Sequence, residues 1–229
     1  LITTKEGFMN DILQFLKELD LHNQREWFEA NRARYDQTRK EFLETTAWLI
    51  DEIRKFDPEV PMLQPKDCMF RIFRDVRFSN DKRPFKTNYG SYIARGGRKS
   101  GFAGYYIHIQ PGEYFLSGGV YMPPAENLLA IRREIYYHPE EYLQIIGDRS
   151  FENVFDQHYF DPLKTAPKGF PKDWEHVDLI RNRSYGFGCS LTEEELLSGS
   201  FKEKCLQTYR LLLPLNHFFN RAIHESGTE

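Results

Sequence analysis

The chain has 229 residues, of which 40 % are hydrophobic, 28 % charged and 15 % aromatic, and its formal net charge is −3. This is a globular composition, without the low hydrophobicity of a disordered chain. No apolar run approaches the ~20 residues of a membrane span, no secretory pattern opens the chain, and a general coater of nucleic acid would be basic overall, so the expectation is a cytoplasmic protein of one domain, residues 1–229.

In chain order, residues 7–19 place Phe8, Ile12, Phe15, Leu16 and Leu19 on one helical face. Asn23 and Glu26 have capping-box spacing and predict one uninterrupted helix to about Phe56, ended by Asp57-Pro58. Strand signals follow. Residues 70–78 alternate, 91–95 are short and β-prone, and 105–110 and 114–121 flank the turn pair Pro111-Gly112. Helices are expected over 125–137 and 140–146, the second stopped by Gly147. Residues 161–173 read as a loop and 185–191 as an edge strand. A capping box at Ser200 and Glu203 opens a last helix to about His224, with Pro214 expected to kink it. The resulting fold class is α+β, an antiparallel sheet covered by a long N-terminal helix and C-terminal helices.

Charge is unevenly spread. Residues 71–99 hold nine Lys/Arg against two Asp, a local +7 that leaves −10 for the rest. With a screening length of about 8 Å, a ligand there feels the local cations rather than the acidic whole. Alternation divides 70–78 into an apolar face (Phe70, Ile72, Val76, Phe78) interrupted by Arg74, and a second face of Arg71, Phe73, Asp75 and Arg77. An arginine on a core face needs a carboxylate or carbonyls, so Arg74 is expected in an internal ion pair. Arg71, Arg77, Lys82 and Lys86, with Tyr89 and Tyr106, are the expected ligand residues, because guanidinium binds phosphate or carboxylate through two hydrogen bonds. The competing reading has Asp75 neutralising its neighbouring arginines in a solvated sheet.

Across the expected hairpin His108 opposes Phe115 and Tyr106 opposes Ser117. Should that face join the arginines, His108 and Tyr106 line a cationic concavity, making His108 and Asp75 the candidates for proton transfer. Gly96-Gly97-Arg98-Lys99-Ser100 lacks Walker spacing, although its glycines could offer N–H groups to an anion; a mobile hairpin loop is the plainer reading. His176, Asp178, His217 and His224 lack metal-ligand spacing, and Cys189 lacks an identifiable base. No metal and no cofactor is expected. Three cysteines, none in a CxxC, suggest free thiols.

The stretch Arg71, Arg74, Asp75, Arg77, Phe78, followed by Asp81-Lys82 and Phe85, has the form RxxRDxRF, then Asp or Asn with Lys, then an aromatic. It resembles the hallmark of a widespread bacterial family of uncharacterised function, found also within longer fungal proteins and usually carrying tyrosine where Phe85 stands. Further similar stretches are Arg25-Glu26-Trp27-Phe28 with Asn31-Arg32, residues 96–100, Gly119-Val120-Tyr121-Met122-Pro123, and Ala166-Pro167-Lys168-Gly169-Phe170. The resemblance implies kinship and assigns no activity. From the residues, the expected partner is an anionic small molecule. The alternatives are a nucleic-acid module stacking bases on Phe73, Phe85 and Tyr89, or a scaffold for an acidic partner.

Overall fold

The computed structural model describes residues 8–226. Helices α1 (Phe8–Leu21), α2 (Arg25–Ala30), α3 (Arg32–Ile53) and the short α4 (Pro65–Cys68) precede strand β1 (Tyr89–Ile93). The hairpin β2 (Gly104–Gln110) and β3 (Glu113–Val120) leads to α5 (Ala125–Tyr137), α6 (Pro139–Ile146) and α7 (Arg149–Glu152). Strand β4 (Gln157–Tyr159), α8 (Val177–Ile180), β5 (Tyr185–Leu191), α9 (Glu193–Leu197) and α10 (Phe201–Ser226) complete the described chain. The fold is α+β, with one five-stranded antiparallel sheet ordered β1-β2-β3-β5-β4. Among the described residues no helix is long and apolar enough to cross a membrane.

The hairpin forms in the expected register, His108 opposite Phe115 and Tyr106 opposite Ser117. This sorts the sheet into two faces. Tyr89, Tyr105, Ile107, Ile109, Leu116, Tyr185 and Cys189 are buried toward the helices. Each such aliphatic or aromatic side chain taken from water contributes about 1.5–3 kcal/mol. Helix α10 crosses this face and is stitched to it by polar side chains. Asn216 accepts from Gly119 N–H (3.0 Å), Asn220 accepts from Ala103 N–H (2.8 Å), and Tyr209 donates to the Tyr106 carbonyl (3.0 Å). At its edge the buried Asp57 carboxylate accepts from Tyr105 Oη (2.7 Å) and lies 3.0 Å from His217 Nε2. The opposite face carries Tyr92, Tyr106, His108, Phe115, Ser117, Gly119, Gly186 and Tyr159, and no long helix of the described residues covers it.

Four expectations are corrected. The long helix breaks at Asn31, whose side-chain amide donates to the Trp27 carbonyl (2.9 Å) in competition with the helical ladder. Asn23 does not cap α2. Its amide instead pairs with both backbone groups of Phe85 (3.0 and 3.1 Å), fixing a residue far along the chain. Residues 70–78 form no strand. They meet residues 84–91 only at isolated bridges, such as Phe73 with Phe85, through Phe70 N–H to Gly90, Lys86 N–H to Ile72 and Arg74 N–H to Pro84. Pro84 has no N–H to return, so the ladder stops, and the Asp75 carboxylate accepts from Arg77 N–H (3.3 Å) to turn the chain. Phe78, expected in the core, is 96 % exposed. Strand β5 is likewise interior, with β1 and the three-residue β4 at the edges.

Candidate functional site

The uncovered sheet face is the floor of a cleft of about 470 Å³. Its walls come from the segment around Phe70, from Lys86 and Asn88 before β1, from the turn carrying Arg98, and from Tyr121 to Pro124 after β3. Glycines give it depth. A Cβ on Gly119, whose φ is +90°, would run into the Tyr185 carbonyl. One on Gly90 would sit 2.5 Å from Tyr106 Oη. Gly119 therefore needs a residue without a side chain, and at Gly90 an added methyl would displace the Tyr106 ring.

Aromatic rings line the floor in an unbroken run. Phe70 meets Tyr106 (centroids 6.1 Å apart), Tyr106 meets Phe115 (5.8 Å), Phe115 meets Tyr159 (5.8 Å), and Tyr159 meets Tyr121 (6.4 Å). His108 stacks on Phe115 at 4.6 Å and 11°, and its Nδ1 lies 2.9 Å from Tyr106 Oη. His108 Nε2 is buried and has no hydrogen-bond partner among the described residues. Burial pushes the His108 pKa down and the Tyr106 phenol far up, so the pair is a neutral imidazole beside a protonated hydroxyl. A neutral imidazole in that setting can accept a hydrogen bond or a proton from a bound group.

The Phe70 end of the cleft is cationic. Lys86 Nζ lies 5.7 Å from the Phe70 ring centre, and its pKa is pushed down by burial and then by Arg71 and Arg74. Phe70 and Arg98 also line a second cavity of about 330 Å³, whose other walls are Arg32, Tyr35, Asp36, Arg39, Lys66, Met69, Arg71 and Phe73. Five cations face one carboxylate there. Arg32 leans on Asp36 (3.3 Å) and over the Tyr35 ring (5.5 Å), and Arg98 donates to the Lys66 carbonyl (2.7 Å). The side chains of Arg39, Lys66 and Arg71 make no hydrogen bond or ion pair to a described residue.

The expected site residues are thus divided. Lys86, Tyr106 and His108 share the cleft, and Arg71 lines the adjoining cavity. Arg77, Lys82 and Asp75 lie on the loop between Phe73 and Phe85 and line neither. Arg77 pairs with Asp75 (2.6 Å), the neutralisation weighed from the sequence, and Lys82 donates to the Val76 carbonyl (3.1 Å). Tyr89 is in the core, its hydroxyl 2.9 Å from Thr38. Arg74 is ion-paired, donating to Asp81 (2.6 Å) and to the Arg83 carbonyl (3.2 Å), but on a partly exposed loop and not on the core face expected. Arg83, then Arg74, holds the Asp81 carboxyl well below its ordinary range. The loop is anchored at its base by Phe85, stacked on Phe28 at 4.0 Å, and by Phe73 against the same ring.

Arg32, Arg39 and Lys66 were not singled out as ligand residues from the sequence. Arg32, Tyr35, Asp36 and Arg39 follow i, i+3, i+4, i+7 spacing on α3, a signal of one shared face. Among the described residues, no group of three or more His, Cys, Asp or Glu is placed to hold a metal.

Fold and site together define an α+β protein whose helices seal one sheet face while the other floors a cleft that is aromatic at one end and cationic at the other. The chain belongs to the DUF2461 family of conserved hypothetical proteins, which it matches over residues 11–218. No curated protein and no solved structure matches it.

Proposed function

We propose that this protein binds a small molecule bearing phosphate or carboxylate, with its anionic group between Lys86, Arg71 and Arg98 and its body on the sheet floor beside Tyr106 and His108. The observation that carries the reading is the meeting of two cavities at Phe70 and Arg98, one of them lined by five cations and a single acid. Uncompensated cations in a concave site repel one another, and an anion relieves that repulsion. A concave site also favours a small ligand over a flat acidic partner, and the overall charge of −3 does not suit a general nucleic-acid coater.

The test is titration calorimetry with pyrophosphate, citrate and a short oligonucleotide. Arg71→Ala and Lys86→Ala each remove a charge-assisted contact of about 1.5–3 kcal/mol, so the small anions should bind roughly 10- to 150-fold more weakly. Arg77→Ala, on the loop outside both cavities, should bind as the parent does. Wild-type protein that binds neither small anion overturns the proposal. Tight oligonucleotide binding that collapses steeply with salt would replace it with nucleic-acid recognition.

A further inference from the structure

The two cavities differ in chemistry, and the ligand that fits both is narrower than an anion. One end offers a run of five rings, from Phe70 to Tyr121. Ring surfaces of this kind hold planar groups through stacking, with little dependence on substituents. An alkyl chain would also fit an apolar wall, but this floor is not purely apolar. Among the described residues His108 Nε2 has no hydrogen-bond partner, and the side chains of Ser117 and Asn88, which also line the cleft, make no hydrogen bond. A hydrocarbon would leave all three unsatisfied, whereas a heteroaromatic ring presents donors and acceptors along its edge.

The other end is over-provided for a single charge. Arg32, Arg39, Lys66, Arg71 and Arg98 face only Asp36, and Arg39, Lys66 and Arg71 are without a hydrogen-bonded or ionic partner among the described residues. One carboxylate cannot engage guanidinium groups set around a cavity of about 330 Å³, while a chain of phosphates presents oxygens on every side. Phe70 and Arg98 line both cavities, so the ring-lined floor and the cationic wall adjoin there, and the ligand inferred below spans that junction. Each cavity lies in the range of about 300–1,000 Å³ typical of small-ligand sites.

Resting on the anion-binding reading above, we infer that the ligand is nucleotide-like, with a heteroaromatic ring on the floor between Tyr106 and Tyr159 and two or more linked phosphates among Arg32, Arg39, Lys66 and Arg71. The two ends make separable demands. Stacking and edge contacts select the ring, and the cation set counts the phosphates.

The experiment is calorimetric titration of the full chain, in EDTA so that no divalent ion masks the phosphates, with purine and pyrimidine nucleoside mono-, di- and triphosphates, the free nucleosides, and inorganic tripolyphosphate. At least one nucleoside triphosphate should bind roughly 5- to 150-fold more tightly than tripolyphosphate, the worth of one stacked ring. Affinity should rise from mono- to triphosphate, and Arg39→Gln and Lys66→Gln should flatten that rise while sparing the monophosphate. Tyr121→Ala, at a ring that is 70 % exposed and so dispensable to the core, should weaken the nucleotide and leave tripolyphosphate unchanged. Tripolyphosphate binding as tightly as every nucleotide refutes the ring assignment while leaving the anion reading intact. Monophosphate and triphosphate binding alike refute the phosphate assignment. If no anion of any kind binds, the failure lies in the underlying reading.

Discussion

Gly90→Ala tests the cleft floor by displacing the Tyr106 ring while leaving every proposed cation in place. Gly90 pairs with His108 in the β1–β2 ladder and has no positive φ, so the backbone accepts alanine. The added methyl would meet Tyr106 Oη at 2.5 Å and the Cε2 and Cζ ring atoms at 3.0 Å. Ordinary contact begins near 3.5 Å, so the ring must retreat by about 1 Å, and the open direction is into the cleft. That movement strains the 2.9 Å Tyr106–His108 contact and the edge contact with Phe70. Overpacking costs about 1–3 kcal/mol, and replacing a strand glycine returns about 0.5–1 kcal/mol, so the net loss should be up to about 2.5 kcal/mol. For a chain of this length that is a fall in Tm of up to roughly 10 °C. Titration with nucleoside triphosphates should show weaker binding, while pyrophosphate, held by the intact cations, should bind as before. Tyr106→Phe in the same background removes the closest contact and should recover part of the stability, a non-additive pair. An unchanged Tm with unchanged binding would refute the account of how the floor is built.

Asp57→Ala strands the buried Tyr105 hydroxyl and removes the His217 contact; a loss of about 2–4 kcal/mol is expected in denaturant unfolding, and Tyr105→Phe should cost less because Asp57 keeps its other partners. The three cysteines are free and buried, and burial raises the thiol pKa of Cys68 to about 11 and also raises those of Cys189 and Cys205, so a thiol reagent should react slowly with native protein and count three thiols at once in denaturant. His108 has a folded pKa below its unfolded value, chiefly through burial, so the unfolded chain binds the extra proton first. Its contribution to stability is complete above pH ~6.5 and is lost as pH falls below that value, and His108→Gln should remove that part of the acid slope in melts between pH 7 and 5.

Much of the fold was legible because local signals agreed with one another. Strict alternation around Pro111-Gly112 set the hairpin register, and Pro123-Pro124 before a periodic run set the start of α5, found at Ala125–Tyr137. Residues 70–78 misled because alternation gives the parity of side chains and says nothing of a partner strand, and Pro84 withholds the N–H that would extend the pairing. Asn31 broke a helix that lacked Gly or Pro by giving its amide to a carbonyl of the preceding turn. Of the site, the Tyr106–His108 face was readable from hairpin parity. Tyr89 has the opposite parity, facing the helices beside Ile109, which its place in a charged segment concealed. The cations on α3 could be grouped from their spacing, but their meeting with Lys66 and Arg71 depends on how α3, α4 and the following segment converge.

The stitching of α10 to the sheet has a consequence for how the protein is made. Asp57 waits for His217 across 160 residues of chain, Ala103 for Asn220 across 117, and Gly119 for Asn216 across 97. A ribosome adds roughly 5–20 residues per second, so the apolar side of β2 and β3 is synthesised seconds before the helix that covers it. Pairing so remote in sequence also carries a large loop-closure entropy, which slows the final docking. The nascent sheet is therefore sticky during that interval, and the helix that closes the core must emerge before the molecule becomes safe from aggregation.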